Sequence, residues 1–181
     1  MHIRHALFLT LMIQVILPVL IAGPVVSRRE ALEAAFPDAT FHSQRIFLTE
    51  EEKQQAAQFS GVEIPSALIV RYLALQGGRE VGRAYIDTHT VRTKKESVLV
   101  CLDMQGQAKR VEVTAFLEPR EYLASGLWYA QYQGQTLGPE LNLHRDIHPI
   151  AGATLTALAT NKAVRRALAL DRVLSEKRER Q

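Results

Sequence analysis

The chain predicts an α+β domain, an antiparallel sheet flanked by helices, preceded by one N-terminal transmembrane helix. Three observations carry this. Residues 6–26 hold no charged side chain, a run matching the ~20 apolar residues that a helix needs to cross a bilayer core. Two pairs of β-rich segments follow, each joined by glycine-bearing turn chemistry. A long helical pattern then closes the chain, and strands grouped ahead of it fit an α+β arrangement.

The N-terminal run reads as an uncleaved anchor over residues 1–26, leaving residues 27–181 as a single domain of ordinary size. A cleaved signal peptide is the rival reading. Its apolar region usually covers ~7–15 residues before an Ala-x-Ala type site; no such site is present, and Pro24 sits badly beside a cut at Ala22-Gly23. Arg4 precedes the span while Arg28 and Arg29 follow it. Long C-terminal domains translocate largely regardless of that bias, so the expected location is the inner membrane, single-pass, with the domain in the periplasm.

Ser27-Arg28-Arg29-Glu30 has capping-box spacing and predicts a helix to Ala35 or Phe36, stopped by Pro37. Thr49-Glu50-Glu51-Glu52 repeats that spacing and predicts a helix to about Gln58, closed by Gly61. Strands are predicted over 67–75 and 80–86 around Gly77-Gly78, then over 97–103 and 108–116 around Gln105-Gly106. A short helix or turn is expected at Pro119–Leu123, then a polar segment to Ile147 with few elements. The last helix is expected from about Thr154 to Leu174, with Leu155, Leu158, Val164, Leu168 and Val173 as its apolar side.

Composition narrows the function classes. Lys and Arg total 22 against 19 Asp and Glu, for a net charge of +3. A nucleic-acid surface needs a denser basic stripe with aromatic platforms, so no nucleic-acid partner is expected. Cys101 is the single cysteine; it cannot form an internal disulfide, and its apolar strand pattern predicts a core position. No nucleophile elbow, two-histidine helix motif or phosphate-cradling glycine loop occurs.

The most informative segment is Ile150-Ala151-Gly152-Ala153-Thr154-Leu155-Thr156, set where the last helix begins. A helix start carries backbone N–H groups without intrahelical partners and the positive end of the macrodipole, so it favours an anion. Gly152 and Ala153 allow close approach, and Pro149 keeps the preceding chain extended. The plain alternative is a capping threonine with small residues for packing. His144, Asp146 and His148 alternate and are the weak candidates for a metal site. His89 and Arg92 read either as a polar patch near a ligand or as the wet face of a strand.

The Gly152-Ala153-Thr154-Leu155-Thr156 run resembles the flavinylation motif of the FMN-binding domain family, which includes the covalent-flavin subunits of the Rnf and Nqr respiratory complexes. Ala151 stands where the family usually has Ser or Thr, and His148 where it usually has an acidic residue. The resemblance implies FMN attached covalently to Thr156 through a phosphoester, its phosphate held by the backbone around Gly152, Ala153, Thr154 and Leu155. Glu118-Pro119 falls in a place comparable to a flavin-approaching loop of the family. Trp128 and Tyr129, with Tyr132, are the nearest aromatics, either stacking on the ring or packing the core. The implied partners are a flavin transferase for maturation and an integral membrane redox partner. The implied role is an electron-transfer protein rather than an enzyme with its own substrate. A flavin-free binding module of the same fold, or a periplasmic metal-binding protein, are the alternatives.

Overall fold

The structure is a computed structural model that describes residues 25–179. Helix α1, Arg28–Ala35, opens on the expected capping box: Glu30 N–H donates to Ser27 Oγ, and Ser27 N–H donates to Glu30. Strand β1, Thr40–Phe47, follows. Helix α2, Glu50–Ser60, uses Thr49 and Glu52 in the same way and ends at Gly61 with φ 65°, a left-handed conformation that favours glycine. Then come β2, Leu68–Gln76, β3, Arg79–Thr90, β4, Lys95–Leu102, and β5, Ala108–Phe116. Helix α3, Gly126–Tyr129, lies between short 3-10 turns at Arg120–Tyr122 and Ala130–Tyr132, and α4 runs from Thr154 to Glu179.

The sheet order β1-β2-β3-β4-β5 is an antiparallel meander. Both faces are covered. Val98, Val100 and Leu102 of β4 point into the main core with Val164, Leu168 and Val173 of α4. The alternate residues Leu99 and Cys101 meet Ala31 and Leu32 of α1 and Phe36 just after it. Period-two alternation thus divides one apolar strand between two cores, and each fully buried Val or Leu contributes about 1.5–3 kcal/mol. Cys101 is fully buried as expected, and burial pushes its thiol up to about 12.

Three differences from expectation have physical causes. Strand β1 has no counterpart in the sequence pattern: it is an edge strand with no fully buried residue, so it carries no apolar alternation to read. β3 continues past Ile86 to Thr90; there Asp87 and His89 are half-buried, with Asp87 paired to Arg166 of α4, while Thr88 and Thr90 are exposed. Leu155 and Leu158, expected on the apolar side of α4, are 49% and 41% exposed, while Thr156 and Thr160 turn inward at 1% and 0%. The span expected at residues 6–26 lies outside the described residues except for Val25 and Val26, which pack against the two cores. Val26 N–H donates to Val113 C=O at 3.1 Å. Among the described residues no helix is long and apolar enough to cross a membrane.

Candidate functional site around the start of α4

The motif forms a turn and the first helical residues behind it. Ala153 N–H donates to Ile150 C=O at 3.2 Å, and Gly152 takes φ 78°. A Cβ built on Gly152 would meet no atom within 4 Å, so the surface beside it is open. The first N–H groups of α4 have no intrahelical acceptor and lie at the positive end of the helix. The two motif hydroxyls differ. Thr154 is exposed, whereas Thr156 is 1% exposed and its Oγ1 donates to Tyr122 C=O at 2.7 Å.

Tyr122 connects the motif to Glu118. The Glu118 carboxylate accepts backbone N–H bonds from Arg92 at 3.0 Å, Thr93 at 2.7 Å and Lys94 at 2.8 Å, fastening the β3–β4 turn. Those donors hold its carboxyl below the usual carboxylate range. The Arg92 guanidinium lies over the Tyr122 ring, 4.7 Å from its centroid, a cation–π contact. Glu118, the 92–94 turn, Tyr122 and Thr156 are therefore joined in one neighbourhood.

Trp128 and Tyr129 are buried, with their rings edge-on to each other at 5.2 Å, and Trp128 meets Tyr132 likewise at 5.6 Å. Trp128 Nε1 donates to His148 C=O at 2.7 Å, and His148 N–H donates to Gln131 Oε1 at 2.8 Å. These side chains anchor the approach to the motif from inside the core.

His144, Asp146 and His148 do not share one side of an extended segment. His144 has φ 66°, its N–H donates to Ile147 C=O at 2.9 Å, and Asp146 N–H donates to Glu140 C=O at 3.2 Å. A tight turn replaces the extended backbone that the alternation requires. Among the described residues no group of three or more His, Cys, Asp or Glu side chains is placed to hold a metal ion.

The sequence reading missed a buried polar row beside the motif. On β3, Arg83, Tyr85, Asp87 and His89 alternate along one face, opposite Leu102, Val100, Val98 and Glu96 of β4. That face is turned to α4. His89 sits between two carboxylates, its Nδ1 2.9 Å from Asp87 Oδ1 and its Nε2 2.9 Å from Glu96 Oε2. Arg166 of α4 donates to both Asp87 oxygens, at 2.6 and 2.7 Å. Thr160 Oγ1 donates to Glu96 at 3.2 Å.

Burial works against the charge on His89, but the two carboxylates outweigh it and raise its pKa. Burial likewise works against ionised Asp87, and Arg166 and His89 together overcome this and hold it at about 2. Further along the row, Tyr85 Oη donates to Asp171 Oδ1 at 2.8 Å, and Arg83 Nε lies 2.8 Å from the same oxygen. The available signal was the hairpin: extending both strands to the 91–94 turn sets His89 opposite Glu96. The chain matches no protein family, no curated protein and no solved structure.

Proposed function

We propose that this protein is a membrane-anchored periplasmic flavoprotein that carries FMN as a phosphoester on Thr156 and relays electrons to or from an integral membrane redox partner. The observation that supports it best is the meeting of the Gly152–Thr156 motif with the Glu118-Pro119 segment through the Tyr122–Thr156 hydrogen bond of 2.7 Å. The motif thus meets a segment some 34 residues upstream in the chain.

The open backbone beside Gly152 suits an anion, whereas the Thr156 hydroxyl is buried and bound to the Tyr122 carbonyl, so attachment there carries one condition. The phosphate would lie against the backbone N–H groups of Gly152 to Leu155, where the helix end favours an anion and Gly152 leaves room. The Thr156 hydroxyl must leave the Tyr122 carbonyl and face outward, so the Arg120–Tyr122 turn has to give way during attachment. A bound flavin supplies one- or two-electron transfer, while the protein supplies orientation and electrostatics. A covalent tether also suits the periplasm, where a cofactor that dissociates is not readily replaced.

Co-expression of the full chain with a flavin transferase tests this. Trypsin releases a peptide from Asp146 to Lys162 that contains both motif threonines. The expected result is an FMN adduct on Thr156 that Thr156→Ala abolishes; an unmodified wild-type peptide defeats the proposal. The exposure of Thr154 favours a second reading, in which it is the acceptor. An adduct that survives Thr156→Ala and disappears in Thr154→Ala establishes that reading instead.

A further inference from the structure

The two edges of the sheet differ. The outer edge of β5 is covered by the chain itself: Val26 N–H donates to Val113 C=O at 3.1 Å, Ala108 N–H to Gln135 C=O at 2.8 Å, and Gly134 N–H to Ala108 C=O at 2.7 Å. The outer edge of β1 has no such cover among the described residues. Leu48 N–H donates to Ala67 C=O at 2.8 Å, continuing the register in which Phe47 faces Leu68. Inward and outward backbone groups alternate by residue along an antiparallel ladder. Phe41, Ser43, Arg45 and Phe47 therefore turn their N–H and C=O groups away from β2.

An open strand edge is a template for another strand, and proteins blunt it with proline, bulges, charges or a short length. β1 uses little of this. Its 8 residues contain no proline and no acidic side chain, it pairs with β2 without a break in register, and its one full charge at neutral pH is Arg45. Phe47 is 73% exposed, and Leu68 opposite it is 43% exposed. Towards the other end of the strand lies an open groove of about 470 Å³, bordered by Leu32, Ala39, Phe41, Ser43 and Tyr72.

We propose that two copies of this chain join edge to edge through β1, antiparallel, with a two-fold axis at Gln44, so that one sheet continues across both. The outward residues are complementary to themselves in this register. Phe41 pairs with Phe47 of the second copy and Ser43 with its Arg45, each pair exchanging two hydrogen bonds. Sliding the copies to the next outward pairing sets Arg45 against Arg45, a destabilising like-charge pair, or leaves Phe47 opposite Ala39, outside the strand. The side chains of Phe41, Ser43, Arg45 and Phe47 share one sheet face, the face that holds the groove. Phe47 of the second copy thus comes to rest beside Phe41 and the groove, and the bare ring gains an apolar seat. The inference is independent of the flavin reading.

The test uses the full chain in detergent, with its oligomeric state read by sedimentation. The wild-type chain is expected to be a dimer. Phe47→Lys changes an exposed side chain, and Ser43→Pro removes an outward N–H while leaving the bonds to β2 intact. Each is expected to raise the dimer dissociation constant about tenfold, since a two-fold interface loses every contact twice. Leu127→Lys, at the 86% exposed leucine of α3, should leave it unchanged. Gln44→Cys sets a thiol opposite its own copy, so mild oxidation should give a reducible covalent dimer. Ser43→Cys should give none, because its two thiols lie on a diagonal too long for a disulfide; Cys101 is fully buried and stays out of the reaction. A wild-type chain that sediments as a monomer overturns the proposal, even if it binds an extended peptide of another protein. A dimer that withstands both Phe47→Lys and Ser43→Pro also overturns it, as association through residues 1–26 alone would produce.

Discussion

His89 is held by two carboxylates at 2.9 Å each, in a place where a lone histidine would stay neutral. Its folded-state pKa is raised, so the stability it contributes is fully present below its unfolded value of ~6.5 and is lost as pH rises through the folded value. Asp87 behaves oppositely. Its pKa is lowered to about 2, so its contribution is present above the unfolded value of ~3.9 and is lost as pH falls towards the folded one. The polar row therefore stabilises most between about pH 4 and 6.5. Urea midpoints measured across the pH range should decline on both sides of this window. His89→Gln should flatten the alkaline decline. Asp87→Asn should remove much of the acid decline and destabilise by about 3 kcal/mol, because Arg166 loses a buried ionic partner; an unchanged acid limb in Asp87→Asn would contradict the assignment. Of these residues only His89 stood out in the sequence, as part of a polar patch. Asp87, Glu96 and Arg166 are ordinary surface residue types, and nothing local marks them as buried.

At the level of elements, the two N-terminal helices were legible because capping is local chemistry. Ser27 and Thr49 each bond the backbone three residues on, whatever the rest of the fold does. Thr49→Ala should cost about 1 kcal/mol, checked by thermal or urea unfolding, with loss of helical signal confined to α2; no change would show that tertiary contacts alone hold its start. Helix α4 is the opposite case. Its start at Thr154 followed from the motif and Pro149, but its rotation did not. The apolar residues Leu155 and Leu158 suggest one buried side, while Glu96 on β4 and Asp87 on β3 draw Thr160 and Arg166 inward. Polar partners on the sheet decide which side of the helix is its inner side. β5 needed no correction because Val111 and Val113 alternate into the main core, the signal that period-two reading detects.

Across the whole molecule, the sheet is a layer shared by two cores, and α1 is pressed close to it at Gly82. A Cβ there would stand 2.3 Å from Phe36 Cε1 and 2.6 Å from Leu102 C=O. The phenyl ring has some freedom to shift, but the backbone of the paired strand does not. Gly82→Ala should therefore destabilise by about 2–3 kcal/mol through overpacking, measured by urea unfolding; a neutral substitution would mean that α1 docks loosely. The amino-acid sequence alone settled the helix caps, the two later hairpins, the buried strand around Cys101 and the small-residue motif at the last helix start, all of which depend on neighbours within a few residues. Packing alone decided that β1 joins the sheet edge, that Thr156 turns towards Tyr122 and that Leu155 and Leu158 remain bare. Packing also decided that Asp87 and Arg166 meet across β3 and α4. Those outcomes follow from strand register and helix rotation, which are set by the sum of contacts between distant segments and leave no local pattern to read.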